Sequence, residues 1–202
     1  MPEHQTKRPL IIYLHGFNSS PLSFKARYLQ SYLDKRGLAD CYFVPALHHS
    51  PKRARAQAEA LILAHQAEAD ITLIGSSLGG YYATSLAEQY GLRAVLINPA
   101  VYPYRLLTDY LGINHNYHTG ASHEMKPEHI DELLAMEAPQ LVEPQSYLVL
   151  LQTADETLDY REAATKYGDT QLVIEQGGSH AFDGFDQRVA QILEFAGFKS
   201  LN

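Results

Sequence analysis

Between an apolar run, Ile71-Thr72-Leu73-Ile74, and a helix-like segment, Gly80-Tyr81-Tyr82-Ala83-Thr84-Ser85-Leu86-Ala87, the chain has only Gly75-Ser76-Ser77-Leu78-Gly79 in which to turn. Strand, tight turn and helix in that order, with a serine at the turn centre, form the pattern of a nucleophile elbow. Such a turn forces its central residue into a strained backbone conformation and lifts the hydroxyl above the sheet. The flanking positions must be glycine, because a Cβ at either one would strike the neighbouring strand or helix. Ser77 is the candidate nucleophile. Ser76 lacks this placement and reads as a structural neighbour.

A nucleophilic serine needs a base, and the base needs an orienting acid. In folds that use this elbow they follow in the order Ser, acid, His. Gln176-Gly177-Gly178-Ser179-His180-Ala181-Phe182 follows the apolar run Leu172-Val173-Ile174. That places His180 on a loop at the C-terminal end of a late strand, just before the last helix, where it serves as the candidate base. For the acid, Tyr147-Leu148-Val149-Leu150-Leu151 is followed by Gln152-Thr153-Ala154-Asp155-Glu156-Thr157-Leu158-Asp159. Asp155 lies soon after the strand end, where an inward-turned carboxylate reaches an imidazole. Asp159 is expected within or capping the next helix, and Glu156 is expected to point outward. The residues alone favour Asp155 and leave the other two open; Asp155 itself also fits a helix N-cap.

Acyl-transfer chemistry further needs two backbone N–H groups aimed at one carbonyl oxygen. Leu78 follows the nucleophile at a helix N-terminus, where the helix dipole helps. The second donor is expected from the loop His15-Gly16-Phe17-Asn18-Ser19-Ser20-Pro21 after the first strand, with Phe17 best placed. His15 reads as a packed or hydrogen-bonded core residue and not as a catalytic one.

Strand and helix patterns alternate along the chain. Strands are expected at 10–15, 41–45, 71–75, 94–98, 147–151 and 171–175, and helices at roughly 21–36, 51–68, 78–90, 158–167 and 183–196. Short, nearly continuous apolar strands between amphipathic helices imply a mostly parallel six-stranded sheet covered on both faces. Right-handed crossovers and a strand order of 2-1-3-4-5-6 bring the Phe17 and Ser77 loops side by side. The whole chain, 1–202, reads as one α/β domain. The rhythm breaks over 101–146, which contains Pro103, Pro127, Pro139 and Pro144. It is too long for a simple crossover and reads as an excursion of short helices over the strand ends, a small lid. Within it Tyr102, Leu107 and Leu111 are candidate substrate-binding residues for an acyl pocket, with Tyr104, Leu106 and Tyr110 beside them.

Composition narrows the partners. A formal net charge of -7 gives no support for nucleic acid or anionic membranes. No apolar run approaches a membrane-spanning length, and Met1 to Pro9 shows no signal-peptide pattern. The single Cys41 has no partner for an intramolecular disulfide and reads as a buried small hydrophobe. These features together suggest the cytoplasm. His48-His49 and His115-Asn116-Tyr117-His118 lack a convincing metal-ligand set, and no metal or cofactor is expected.

Longer stretches resemble a known family. Ile12-Tyr13-Leu14-His15-Gly16-Phe17-Asn18-Ser19-Ser20-Pro21, Gly75-Ser76-Ser77-Leu78-Gly79-Gly80-Tyr81-Tyr82-Ala83-Thr84, Asn98-Pro99-Ala100-Val101, Leu107-Thr108-Asp109-Tyr110-Leu111-Gly112 and Gly177-Gly178-Ser179-His180-Ala181-Phe182 are similar to the YqiA-type bacterial esterases. These are small alpha/beta-hydrolase proteins related to the YcfP group. The resemblance runs from about residue 10 to the C-terminus. It implies the compact alpha/beta-hydrolase fold and a cytoplasmic carboxylesterase acting on short acyl esters and acyl-CoA thioesters. It also implies Ser77 as nucleophile, His180 as base and Asp155 as acid; Ala154 stands where the family often has glycine. Two other functions use the same features. An acyltransferase shares the first half-reaction and differs only in the acceptor. A non-catalytic binding protein keeps the fold, but has no need of the Ser77, Asp155 and His180 set. Oligomeric state is not legible.

Overall fold

The computed structural model describes residues 7–198; most of the Met1 to Pro9 segment read for a leader pattern lies outside them. Six strands form one sheet: β1 (Arg8–Leu14), β2 (Tyr42–Phe43), β3 (Ala69–Ser76), β4 (Arg93–Ile97), and later β7 (Tyr147–Gln152) and β8 (Gln171–Glu175). Their spatial order is β2-β1-β3-β4-β7-β8 and every pairing is parallel. Counting only these six, the order is the 2-1-3-4-5-6 that the alternating pattern predicts.

Period-two alternation explains why the sheet is covered on both sides. Leu10, Ile12 and Leu14 of β1 pack into one apolar layer with α2 (Pro51–His65) and α3 (Leu78–Tyr90). Ile11 and Tyr13 of the same strand pack into the opposite layer with α1 (Phe24–Asp34) and α7 (Phe185–Phe195). Both sets are fully buried. Cys41 is buried at the end of a 3-10 turn just before β2. Strand β2 is shorter than expected because Pro45 follows closely and has no N–H to give a ladder. Helix α6 (Tyr160–Lys166) joins β7 to β8. Among the described residues, no helix is long and apolar enough to cross a membrane.

The 101–146 excursion differs from the expectation of short helices alone. It holds α4 (Pro103–Leu106), a 3-10 turn at Leu107–Tyr110, an antiparallel hairpin of β5 (Gly112–His115) and β6 (Ser122–Met125), and then α5 (Pro127–Leu134). The hairpin strands are four residues each and mostly exposed, so they carry no apolar alternation. Parallel strands all present their C-terminal ends at one edge of the sheet, where an α/β fold gathers its functional loops.

Candidate active site

Ser77 follows β3 with φ 55° and ψ −122°, a conformation that costs an L residue of order 1–3 kcal/mol. Sterics around it hold the turn. A Cβ on Gly75 would lie 2.3 Å from the Gly79 carbonyl oxygen, and one on Gly79 would lie 1.9 Å from that of Leu14. Neither contact is possible, so strand β1, the elbow and α3 approach this closely only with glycine at both places. Among the described residues, the other non-glycine positions with positive φ are Asn18, Asn98 and Phe182. Asn18 lies in the loop after β1, Asn98 directly follows β4, and Phe182 follows His180. The unusual backbone of this protein is thus gathered around one spot.

The His180 imidazole stands between Ser77 and Asp155. Its Nε2 lies 3.0 Å from Ser77 Oγ. Its Nδ1 lies 2.8 Å from Asp155 Oδ2 and 3.0 Å from Oδ1. An ionised carboxylate only accepts, so Nδ1 carries the proton toward Asp155 and Nε2 presents a lone pair to the serine hydroxyl. The Asp155 side chain is 2% exposed. Its Oδ1 also accepts from the Thr157 and Leu158 N–H groups, which fixes its orientation. Asp159 is elsewhere: it caps α6 through the Arg161 N–H and pairs with the Arg161 guanidinium. Glu156 does not simply point outward, as its position had suggested. Its carboxylate accepts the His180 backbone N–H at 2.9 Å, a bond available because the histidine loop doubles back over the 153–159 loop.

Three buried or half-buried groups hold the His180 loop, and sequence reasoning had missed them. Asn98 donates from Nδ2 to the Ser179 and His180 carbonyls, while its Oδ1 accepts the Gln152 N–H. Gln152 Oε1 accepts the Ser179 and Asp183 N–H groups, and its Nε2 donates to the Asp183 carbonyl. Lys25 Nζ donates to the Ala181 carbonyl at 2.7 Å. Burial pushes the Lys25 pKa down to about 8, partly opposed by the Asp155 charge. The available signal was an amide residue closing each apolar strand, Asn98 after Ile97 and Gln152 after Leu151; a lone sequence does not say which loop such an amide will hold.

On the other side of the serine runs the loop after β1. A Cβ on Gly16 would sit 3.2 Å from the Ser77 Cβ, so this loop lies directly against the elbow. Leu78 opens α3, where first-turn N–H groups have no acceptor within the helix. Among the described residues no acceptor takes the Phe17 N–H. Gly16, Phe17, Asn18, Leu78, Tyr82 and His123 contribute to a cavity of about 330 Å³. His15 is 4% exposed and accepts the Leu47 N–H at Nε2, which leaves the Nδ1 proton facing the Gly16 carbonyl. Burial lowers its pKa and keeps the ring neutral.

The excursion residues are distributed differently from the expected acyl pocket, and none of the three lines this cavity. Leu107 is 3% exposed and packs into the core with Tyr81 and Leu133. Leu111 is 45% exposed. Tyr102 lines a separate cleft with Ala100, Leu106 and Leu158. Leu107 closes the excursion onto the body, so its apolar character reflects packing. The His48 and His49 rings lie tilted against each other, with centroids 4.0 Å apart, and His49 stacks on His123 at 5.0 Å. Among the described residues no group of three or more His, Cys, Asp or Glu side chains is arranged to hold a metal ion.

Residues 10–197 match the family described as "Uncharacterised protein family (UPF0227)", the YqiA family, and the chain belongs to it. Its fold is shared with a candidate hydrolase from Agrobacterium vitis S4, at TM-score 0.72 and 17% identity over 94% of this chain and 88% of the other. Mouse alpha/beta hydrolase domain-containing protein 10 aligns at TM-score 0.70 and 16% identity, over 93% and 90%. A structure of the metagenome-derived lipolytic enzymes LipS and LipT aligns at TM-score 0.66 and 16% identity, over 96% of both chains. The chain therefore has the alpha/beta-hydrolase fold.

Proposed function

We propose that this protein is a serine hydrolase that cleaves small acyl esters, acyl-CoA thioesters among them, through an acyl-enzyme. The reading rests above all on one observation: the hydrogen-bonded line from Asp155 through His180 to a serine held at positive φ. Ser77 Oγ attacks the acyl carbonyl carbon while His180 Nε2 takes the hydroxyl proton. Asp155 holds the tautomer and stabilises the imidazolium. The Phe17 and Leu78 N–H groups receive the oxyanion of the tetrahedral intermediate. Its collapse breaks the bond to the leaving alkoxide or thiolate, which takes the proton from Nε2. Water then repeats the sequence at the acyl-serine and releases the free acid. The hydrolase and lipolytic names of the structural neighbours agree with this chemistry. A lone buried thiol at Cys41 agrees with a reducing, cytoplasmic setting.

Covalent capture tests the reading. A fluorophosphonate mimics the tetrahedral state, and mass spectrometry of the treated protein is expected to find one adduct, on Ser77, with parallel loss of p-nitrophenyl acetate turnover. An adduct on Ser76, or turnover that persists without any adduct, would overturn the mechanism.

A further inference from the structure

The excursion grips three consecutive residues of the loop after β1. The Phe17 ring sits edge-on to Tyr110 at 5.5 Å and to His123 at 6.1 Å, so both ends of the hairpin region bracket it. The Asn18 carbonyl accepts the Tyr117 N–H at 2.8 Å, and Asn18 Nδ2 donates to Asn114 Oδ1 at 3.3 Å. Asn114 is itself anchored, donating from Nδ2 to the Tyr110 and Gly112 carbonyls. The Ser19 carbonyl accepts from Asn116 Nδ2 at 2.6 Å. Asn116 Oδ1 accepts the His118 and Thr119 N–H groups of its own turn. Those two bonds settle which end of the amide is oxygen, and they leave its nitrogen directed at Ser19.

A surface cover has no need of such a grip. Asn18 holds φ 53° while only 8% exposed, a conformation that persists only where the surroundings over-determine it. The Ser19 N–H closes the turn onto the Gly16 carbonyl at 3.3 Å, so residues 16–19 form one hydrogen-bonded turn. Phe17 lies within that turn, next to the Gly16 that packs against the elbow. A backbone N–H donor acts only when it lies within hydrogen-bond distance of the developing charge, and displacements of about 1 Å cost on the order of a hundredfold in rate.

We infer that the hairpin tip is a brace for the oxyanion loop, with Asn114 and Asn116 as positioning residues that fix where the Phe17 N–H points. The inference rests on the acyl-transfer reading of Ser77 and Phe17 above. It assigns the excursion a task in the chemical step, beyond covering the strand ends.

Asn116→Asp separates the two sets of bonds. It keeps an acceptor for His118 and Thr119 and removes the donor to Ser19; the neutral Asn116→Ala controls for the added charge. Three quantities are measured for a short acyl ester: kcat, KM and the inhibition constant of a trifluoromethyl ketone, which forms a tetrahedral oxyanion on the serine. Both variants are expected to lose tenfold or more in kcat with KM within threefold. Ketone affinity is expected to fall by a similar factor, and the acid limb of the pH profile to stay in place, because the His180 and Asp155 contacts are untouched. A smaller loss in either variant, or a loss in kcat with unchanged ketone affinity, overturns the brace. If the Asn116 variants fail to give a native near-ultraviolet spectrum, Asn114→Ala cuts the tie to Asn18 from the hairpin side and is read by the same criteria. Wild-type protein that neither turns over esters nor labels at Ser77 would remove the hydrolase reading itself. Wild-type turnover and labelling with unaffected variants would remove the brace alone.

Discussion

The sheet body and the 101–146 excursion both reach the elbow, but they hold it in different ways. The body works through backbone sterics and strand ends: Gly75 and Gly79 admit contacts no Cβ would survive, and Ser77, Asp155 and His180 of the proposed triad follow β3, β7 and β8 within a few residues of the last ladder bond. The excursion has no part in the sheet: Leu107, Met125 and Leu133 pack it into the core, and its hairpin tip is tied to the loop after β1 by side-chain amides. Tyr81 OH donates to the Leu133 carbonyl, Ser50 Oγ donates to Glu132, and the Asn114 and Asn116 amides reach Asn18 and Ser19. A site built on a packed sheet is fixed by the fold as a whole, whereas one held by a handful of polar ties can be detuned one bond at a time. The contrast predicts a graded series of effects, largest where the body carries the chemistry.

The largest effects belong to the body. Ser77→Ala and His180→Ala are each expected to lose roughly three or more orders of magnitude in turnover while remaining folded. Asp155→Asn is expected to lose two orders or more, because the amide offers Nδ1 a hydrogen-bond donor and favours the wrong tautomer. Asp159→Asn, four residues away in sequence, removes charge from a helix cap and its Arg161 pair, with turnover changed by less than threefold. Steady-state kinetics on the four variants checks the order. Were Asp159→Asn the more damaging of the two, the acid would be misassigned.

The same division decides what a reader of the sequence can recover. Strands such as 71–75 and 147–151 announce themselves because burial on both faces demands continuous apolar runs, the half-exposed edge strand at 171–175 shows only as the shorter run Leu172-Val173-Ile174, and α3 is bounded as expected because the elbow starts it and Gly91, at φ 62°, ends it. Ser77, Asp155 and His180 follow those strand ends, so locating the strands locates them. The excursion has no such dictation. Its hairpin strands are polar and half-exposed, and its turn is fixed by Asn116 contacting its own loop, an interaction with no periodic signature. Leu107 and Leu111 look alike in sequence, yet one is core and the other surface; the difference arises from where the 3-10 turn docks. Asn98 and Gln152 are equally invisible, since their partners lie 23 to 82 residues away.

That pair of leucines gives a smaller test. Leu107→Ala opens the seam between excursion and body and is expected to cost 2–5 kcal/mol of stability. Leu111→Ala is expected to stay within about 0.5 kcal/mol. Neither is expected to shift relative kcat/KM across acetyl, butanoyl and octanoyl esters, since neither side chain lines the cavity at Leu78. Urea titration and the ester series separate the two roles. A chain-length shift in Leu111→Ala, with stability unchanged, would return that residue to the acyl pocket.

The smallest effect is set by pH and falls on the same seam. His48 and His49, on the body's loop before α2, face His123 on β6 and His129 on α5. Arg53 adds a positive charge beside them, and the Glu132 carboxylate on α5 opposes it at His48. Desolvation first, and then the neighbouring cations, push His49 down to about 4; the same causes lower His48 and His123. The unfolded chain therefore binds protons at these rings near pH 6.5 while the folded chain resists them to lower pH. With more protons on the unfolded state, stability falls as pH drops through that interval, and it is fully present above it. Thermal unfolding from pH 7.5 to 5 is expected to show a decline of a few degrees that His49→Gln reduces, because the variant removes the ring with the largest shift. Protection factors for hydrogen exchange, corrected for the intrinsic rate at each pH, are expected to fall at β5 and β6 over the same range while β3 and β4 stay protected, since the repulsion acts across the excursion's contact and leaves the parallel sheet alone. An equal fall in protection in both sheets would mean that acid loosens the molecule as one unit, and the division between body and excursion would not hold for stability.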